Sequence, residues 1–527
     1  MARYKFNNSG LTLDKLFDQT LVRRPEGIVK DLSLSASFED FYNDIVLYSS
    51  AINRFIGKDN VVSVMCWNNI DFAKMMYSIP LSGNVIHPVD VRQSPDQILE
   101  TMRQAGTKYI FASHDFLPFV EMSVSKQVVK DGNVMMIDRN PIDEKYSSFY
   151  EKINKTVNSS IPSIDENTIA SVLFTSGTTG KPKGVRYRHR DIVLTIWAML
   201  TNLSAFSGPA RLNSDDRIMS LIPFFHLWSW GTLFMSTMIG SDYIMGGKFD
   251  VSKTLEIMQK DKITWMSMVP TMFNSLSVEK SDNPFKNVKI LIGGSAIPSS
   301  IIHYATNHNI ELTGIYGFTD GLGAAIGTAE NCDVPHKEQC LHRAVDKITP
   351  LVMTEFETEG ENSEIKFRSS WLPSGYFNLK DENGTAYREG WFYPGDVGTV
   401  SREGIKITDR IKDLIKSGGE FIPSAEIEYY ITNLPEILDV AVIGYPDEKW
   451  GERPIALYRT KQGSNIEESR IREYLTLIVN EGAIKKWWIP DRYIRIDNMP
   501  MTGTGKIDKK ALKNMISNQI HSNTKYL

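Results

Sequence analysis

Between Ser171 and Asp191 the sequence reads SVLFTSGTTGKPKGVRYRHRD, with Gly177, Gly180 and Gly184 set among hydroxyl side chains and followed by Lys, Arg and His. Glycines let a loop bring backbone N–H groups against an anion, and hydroxyls and lysines add donors, so the chemistry indicated is phosphate binding. The stretch is not a G-x-x-x-x-G-K-[ST] loop, because the glycine spacing differs and Lys181 is followed by Pro182. "IASVLF" before it and "GVRYR" after it both alternate, with a helical pattern from about Asp191, so a strand–loop–strand turn is expected. A mobile surface loop is the alternative.

Two further stretches carry chemistry-bearing side chains. "LIPFFHLWSWGTLFMSTMIG", Leu221 to Gly240, has the length of a bilayer span, but Pro223, His226 and its hydroxyls favour a buried segment lining an apolar cavity. His226 interrupts an otherwise apolar run, which points to a functional role. "CDVPHKEQCLH" gathers Cys332, His336, Cys340 and His342, but the spacing fits no usual zinc pattern and the run reads as a loop.

The elements that must position these residues alternate. Helical spacing in "SFEDFYNDIVLYSSAINRFI", "DFAKMMYSIPLSG" and "SPDQILETMRQAG" is interleaved with strand patterns "NVVSVMCW", "NVIHPVD" and "KYIFAS". The alternation returns beyond the loop, predicting parallel sheets covered by helices. From about Thr349 the segments are shorter and β-rich. A charged, Gly-rich segment, Asp409 to Glu428, then leads into an α+β tail of about a hundred residues, as expected of a hinge between domains. The 527 residues, with 42% hydrophobic and 23% charged side chains, describe a globular chain of several domains. A net charge of −4 gives no electrostatic case for nucleic acid. Three cysteines suit a reducing compartment, and "MARYKFNNSG" lacks the apolar core of a signal peptide, so a cytoplasmic protein with no transmembrane segment is expected.

Taken together, the opening loop, "YGFTDG" (316–321), "GWFYPGD" (390–396), "DRIKDLIKSGGE" (409–420) and "TGTGKIDKKAL" (502–512) resemble the adenylate-forming superfamily of acyl-CoA synthetases, luciferases and peptide-synthetase adenylation domains. The resemblance covers nearly the whole chain. It implies an α/β fold: a large N-terminal domain (1–410) of two α/β subdomains and a β-barrel, then a small mobile C-terminal domain (411–527). It implies activation of a carboxylic acid by ATP to an acyl-adenylate, then transfer to a thiol, usually of coenzyme A, with Mg2+ as the metal. Position by position, Thr175, Ser176, Gly177, Thr178, Thr179, Gly180 and Lys181 would hold the β- and γ-phosphates. Tyr316 of Tyr316–Gly317 would stack on adenine, Thr319 would bond the α-phosphate, and Asp396 and Arg410 would reach the ribose. Gly293, Gly294 and Ser295 would border adenine and the acyl pocket. Lys506 would approach the α-phosphate and the attacking carboxylate. Lys412 occupies the hinge position, and Gly418 and Gly419 the thiol side.

Two positions depart from the family pattern: Asp320 stands where Glu usually ligates magnesium, and Pro394 where Thr usually precedes Gly-Asp. The stretch "IPFFHLWSWG" has no acid to pair with an amino-acid ammonium, so amino acids are disfavoured as substrates. It resembles the medium- and long-chain fatty acid branch, with His226 on its histidine and Trp230 on its tunnel gate. Trp230 reads equally as an ordinary core aromatic. The expectation is a fatty acid–CoA ligase using ATP, Mg2+ and coenzyme A, with a homodimer allowed. Aryl-acid or carrier-protein-loading enzymes are the near alternative, and a nucleotide-binding homologue with impaired catalysis the distant one.

Overall fold

The structure, a computed structural model, describes residues 10–139, 145–153, 159–175, 182–278, 283–327, 341, 345, 347–373, 375–377, 386–461, 463–502 and 506–523. Two large sheets dominate the first part. One has nine strands, and its central run pairs Asp242–Ile244, Arg217–Ser220, Trp265–Met268, Lys289–Gly293 and Glu311–Tyr316 in parallel. The other has seven strands, parallel from Ser147–Ser148 through Thr107–Ala112, Val61–Met65 and Val85–Pro88 to Ile169–Thr175. Such strands are buried on both faces, which is why Val61–Met65 and Trp265–Met268 carry apolar side chains on both alternating sets, apart from the small hydroxyls Ser63 and Ser267.

The covering helices begin where local chemistry allows. Phe38–Ile56 starts at Ser37, whose hydroxyl accepts from the Asp40 N–H at 3.0 Å. Pro95–Ala105 has a complete capping box from Ser94 and Gln97, with Pro95 in the first turn where its missing N–H costs nothing. Within 221–240 a mostly buried turn, Leu227–Trp230, leads into the short buried helix Thr232–Ile239. Among the described residues no helix is long and apolar enough to cross a membrane.

Between Thr349 and Arg410 the chain forms small antiparallel sheets, Thr354–Glu357 with Lys366–Ser369 and Asp396–Ser401 with Gly404–Arg410. The tail makes its own five-stranded sheet, Ile437–Asp447 pairing with Gly451–Thr460 along most of its length. Its cores draw only on residues 415–516, with Ile415, Ile427, Ile471 and Leu475 fully buried. The architecture is the expected mixed α/β one, a large N-terminal part followed by a small α+β domain.

Separate cores lead to a separable loss of stability. Replacing Ile471 by Ala removes three buried carbons and should cost the small domain about 2–5 kcal/mol. Scanning calorimetry should then show one transition moved down and the main transition unmoved; a joint shift would mean the two parts unfold as one unit.

Candidate active site

Tyr316 closes the parallel strand Glu311–Tyr316, at the carboxyl edge of the nine-stranded sheet, where open α/β sheets place their ligands. Its hydroxyl donates to Asp396 Oδ2 at 2.6 Å. Asp396 lies opposite Arg410 on the antiparallel ladder, and Arg410 Nε sits 3.2 Å from Asp396 Oδ1. Burial, and then the charge of Asp396, push the Tyr316 phenol well above its ordinary pKa. Each Asp396 oxygen keeps a lone pair free to accept from a diol. Beside Tyr316, Gly293 ends the neighbouring strand so close to it that a Cβ would come within 2.2 Å of the Ile315 carbonyl oxygen. Gly294 then turns with φ +87°, a conformation open to glycine at little cost. Ser295 follows, exposed.

Lys506 arrives from the small domain. A tight turn fixes it, the Thr502 N–H donating to the Lys506 carbonyl at 2.7 Å and the Lys506 N–H to Thr502 Oγ1 at 3.2 Å. A Cβ built on Gly294 would lie 3.7 Å from Lys506 Cε and 3.7 Å from Trp230 Cζ2, so the lysine stem, the glycine and the indole meet at one point. Burial first, then Arg410 and Lys412, bring the Lys506 ammonium down to about 8, with Asp396 opposing. Burial also lowers Lys412, which Asp413 opposes and Arg410 reinforces. Arg410, Lys412 and Lys506 all act on the carboxylate of Asp396, and Asp409, Asp413 and Asp508 add further carboxylates around Arg410 and Lys412.

Trp230 is presented by an unusual turn. Leu227, Trp228, Ser229 and Trp230 have φ of 49°, 51°, 59° and 54°, and Gly231 has 72°. A run of left-handed non-glycine residues costs about 1–2 kcal/mol each and survives only where the surroundings over-determine it. Here Ser229 Oγ lies 2.6 Å from both Ser220 Oγ and the Ile222 carbonyl oxygen, and Trp228 Nε1 donates to Ser171 Oγ at 3.1 Å. Asn68 holds the approach, donating to the Ile222 carbonyl at 2.9 Å and accepting from the Phe224 N–H at 2.8 Å. Burial, then Lys506 and Arg92, push the His226 imidazole down to about 3, so it is neutral near pH 7.

Asp320 is buried in a cage of tyrosines. Its Oδ1 accepts from Tyr387 Oη at 2.7 Å, while Tyr187 Oη donates to the neighbouring Thr319 carbonyl. Burial raises the Asp320 carboxyl to about 6, against the hydrogen bonds of Tyr387 and Tyr376 and the charge of Lys183. Lys183 opens the strand Lys183–Arg188, which pairs antiparallel with Ile169–Thr175, so the loop between them is the expected strand–loop–strand turn. Ser176, Gly177, Thr178, Thr179, Gly180 and Lys181 themselves lie outside the described residues, as do Cys332, His336, Cys340 and His342. Among the described residues there is no cluster of three or more metal-ligating side chains. A single carboxylate nevertheless suits magnesium, which is commonly held by one or two carboxylates with substrate phosphates and water.

The structure brings Tyr316, Asp396, Arg410, Lys412, Lys506, Gly293, Gly294, Trp230 and His226 together. Gly418 and Gly419 form the turn between the strands Ile415–Ser417 and Glu420–Ile422, both with positive φ, and the Gly418 N–H donates to the Trp450 carbonyl at 2.7 Å. Sequence reasoning missed Arg92, whose guanidinium lies over the Phe225 ring 4.9 Å from its centroid, and the tyrosine cage. Single charged and aromatic residues without spacing carry no signal of either role.

Residues 18–377 match the family model of the AMP-binding enzymes, and residues 426–506 that of the AMP-binding enzyme C-terminal domain. The chain is 29% identical to the 3-methylmercaptopropionyl-CoA ligase of Ruegeria pomeroyi, over 86% of each chain. It is 29% identical to the medium-chain-fatty-acid–CoA ligase of Ectopseudomonas oleovorans, covering 86% of this chain and 85% of the relative. In fold it resembles an anthranilate CoA ligase solved with anthranoyl-AMP, with TM-score 0.83 and 18% identity over 96% of this chain and 97% of the other. The chain therefore belongs to the AMP-binding enzymes, the adenylate-forming family that its motifs resemble.

Proposed function

We propose that the protein is a fatty acid–CoA ligase. A carboxylate oxygen of the acid bonds to the α-phosphorus of ATP, the bond from that phosphorus to the bridging oxygen breaks, and pyrophosphate leaves. Coenzyme A then bonds through sulfur to the acyl carbon, its thiol proton is lost, and AMP departs. The observation that carries this reading is the convergence of Arg410, Lys412 and Lys506 on Asp396, beside a wall made by Gly294 and Trp230.

Displacement at phosphorus needs positioning and charge stabilisation more than covalent help from the protein. Asp396 and Tyr316 orient the nucleoside, and Arg410 fixes the carboxylate that does so. Thr319 and the loop from Thr175 to Lys181 bind phosphates. Lys506 stands where the α-phosphate and the attacking carboxylate meet and neutralises the charge of both. Asp320 would hold Mg2+, which supplies further neutralisation of phosphate charge when bound. His226, neutral in its half-buried place, borders the acid as a hydrogen-bonding wall and does not act as a cationic acid. Trp230 and Gly294 bound the acyl pocket, and Gly418 and Gly419 belong to the thiol step, reached when the small domain turns about Lys412. The apolar surroundings and the named fatty-acid relative favour an alkyl acid. The anthranilate ligase of similar fold keeps an aryl acid as the second reading. We place the protein in the cytoplasm.

The first test is pyrophosphate release with ATP and Mg2+ over acids from acetate to palmitate plus benzoate and cinnamate, with and without coenzyme A. Release sustained by alkyl acids only in the presence of coenzyme A is expected; response to aryl acids alone would move the assignment to the second reading, and no response to any acid would overturn it. Lys506→Ala should lower acyl-adenylate formation by about 10²–10³-fold while ATP still binds, as measured by single-turnover assay and calorimetric titration. Because the lowered Lys506 is cationic only below its pKa, kcat/KM for ATP should fall as pH rises through about 8. In Lys506→Ala that limb should be absent. Trp230→Ala should change relative kcat/KM between short and long acids by about tenfold or more, and an unchanged ratio would leave Trp230 a core residue.

A further inference from the structure

A second set of charged and polar groups lies behind Lys506, where the two domains meet. The helix Ser424–Ile431 follows Pro423, which makes no side-chain bond to its first N–H groups. The acceptor comes instead from the large domain: Asp409 Oδ2 accepts from Ser424 Oγ at 2.8 Å and from the Ala425 N–H at 3.2 Å. The other oxygen, Oδ1, accepts from the Arg410 N–H at 2.7 Å. Lys509 Nζ donates to the same Ser424 Oγ at 2.7 Å and pairs with Glu428 Oε1 at 2.7 Å. Glu428 Oε1 in turn accepts from the Val442 N–H at 2.7 Å. Asp409 and Ser424 are both buried.

Lys509 is the first residue of the helix Lys509–Asn523, where a cation opposes the helix dipole. Asp508 caps that helix through the Ala511 N–H at 2.9 Å, so the lysine is not needed to start it. What the lysine does instead is tie the turn carrying Lys506 to Ser424, and through Ser424 to Asp409. Asp409 precedes Lys412 in the chain and Ser424 follows it. Rotation of the small domain about that point parts Asp409 from Ser424, whereas Lys509 and Glu428 travel together.

We propose that Lys509 is a positioning residue for Lys506, and that Asp409, Ser424, Lys509 and Glu428 form a latch that holds the small domain in the adenylate-forming orientation and opens for the thiol step. The two-step reading of the function underlies this assignment. The test separates the two steps: acyl-adenylate formation from acid and ATP, and acyl-CoA formation from preformed acyl-adenylate and coenzyme A. Lys509→Met and Asp409→Ala should each slow the first step by about tenfold or more with little change in KM for ATP, and leave the second within about twofold. Lys509→Arg should restore most of the first. Equal loss in both steps, or no loss in either, overturns the latch. Trypsin cleavage at the segment 410–416 gives a readout independent of chemistry, expected to be faster in Lys509→Met and Asp409→Ala. An unreactive wild type would sink the functional reading alone; the cleavage rates would still decide the latch, unchanged rates counting against it.

Discussion

Asp396 and Arg410 stand opposite each other on a short antiparallel ladder, and the charge balance of the whole site is set from that pair. The carboxylate accepts from Tyr316 on one side and forms an ion pair with the guanidinium on the other, and it partly offsets the repulsion among Arg410, Lys412 and Lys506. Burial is the first reason the Lys506 ammonium is lowered, and the charges of Arg410 and Lys412 lower it further against Asp396.

The acyl side rests on a different constraint. A left-handed turn of non-glycine residues is expensive, and hydrogen bonds donated to Ser220 and Ser171, with one donated by Asn68 to the approach, supply what holds it. Its effect is to bring the Trp230 ring against Gly294 while the side chain stays buried in the large hydrophobic core. A side chain at Gly294 would meet Val269 at 3.1 Å and sit between indole and lysine, so the bare backbone is what lets those two side chains come together here.

The small domain folds around its own core yet completes a site built by the large one. Its position is maintained by polar contacts at the junction, among them Ser299 with Asn433 and Asp409 with the helix at Ser424. Hydrogen bonds and ion pairs contribute about 0.5–3 kcal/mol each, little enough to exchange for others. A continuous apolar interface would hold the domains more firmly and would oppose the reorientation that a two-step reaction needs.

The sequence alone determined the alternation of parallel strands and helices, the strand–loop–strand turn between Thr175 and Lys183, and the set of motifs that identify the family. Those features are local: period, turn chemistry and glycines required by backbone geometry are all written in neighbouring residues. Gly293, Gly294, Asp396 and Lys506 could be singled out from the sequence only through the family motifs that they resemble. Only the tertiary structure decided that Trp230, a core residue, packs against Gly294, that Asp320 sits in a cage of Tyr187, Tyr376 and Tyr387, and that Asp409 caps a helix of the other domain. Each of these depends on residues far apart in the chain meeting at one point. A lone tyrosine or lysine looks like any other surface or core residue until burial changes its charge energetics and fixes its partners.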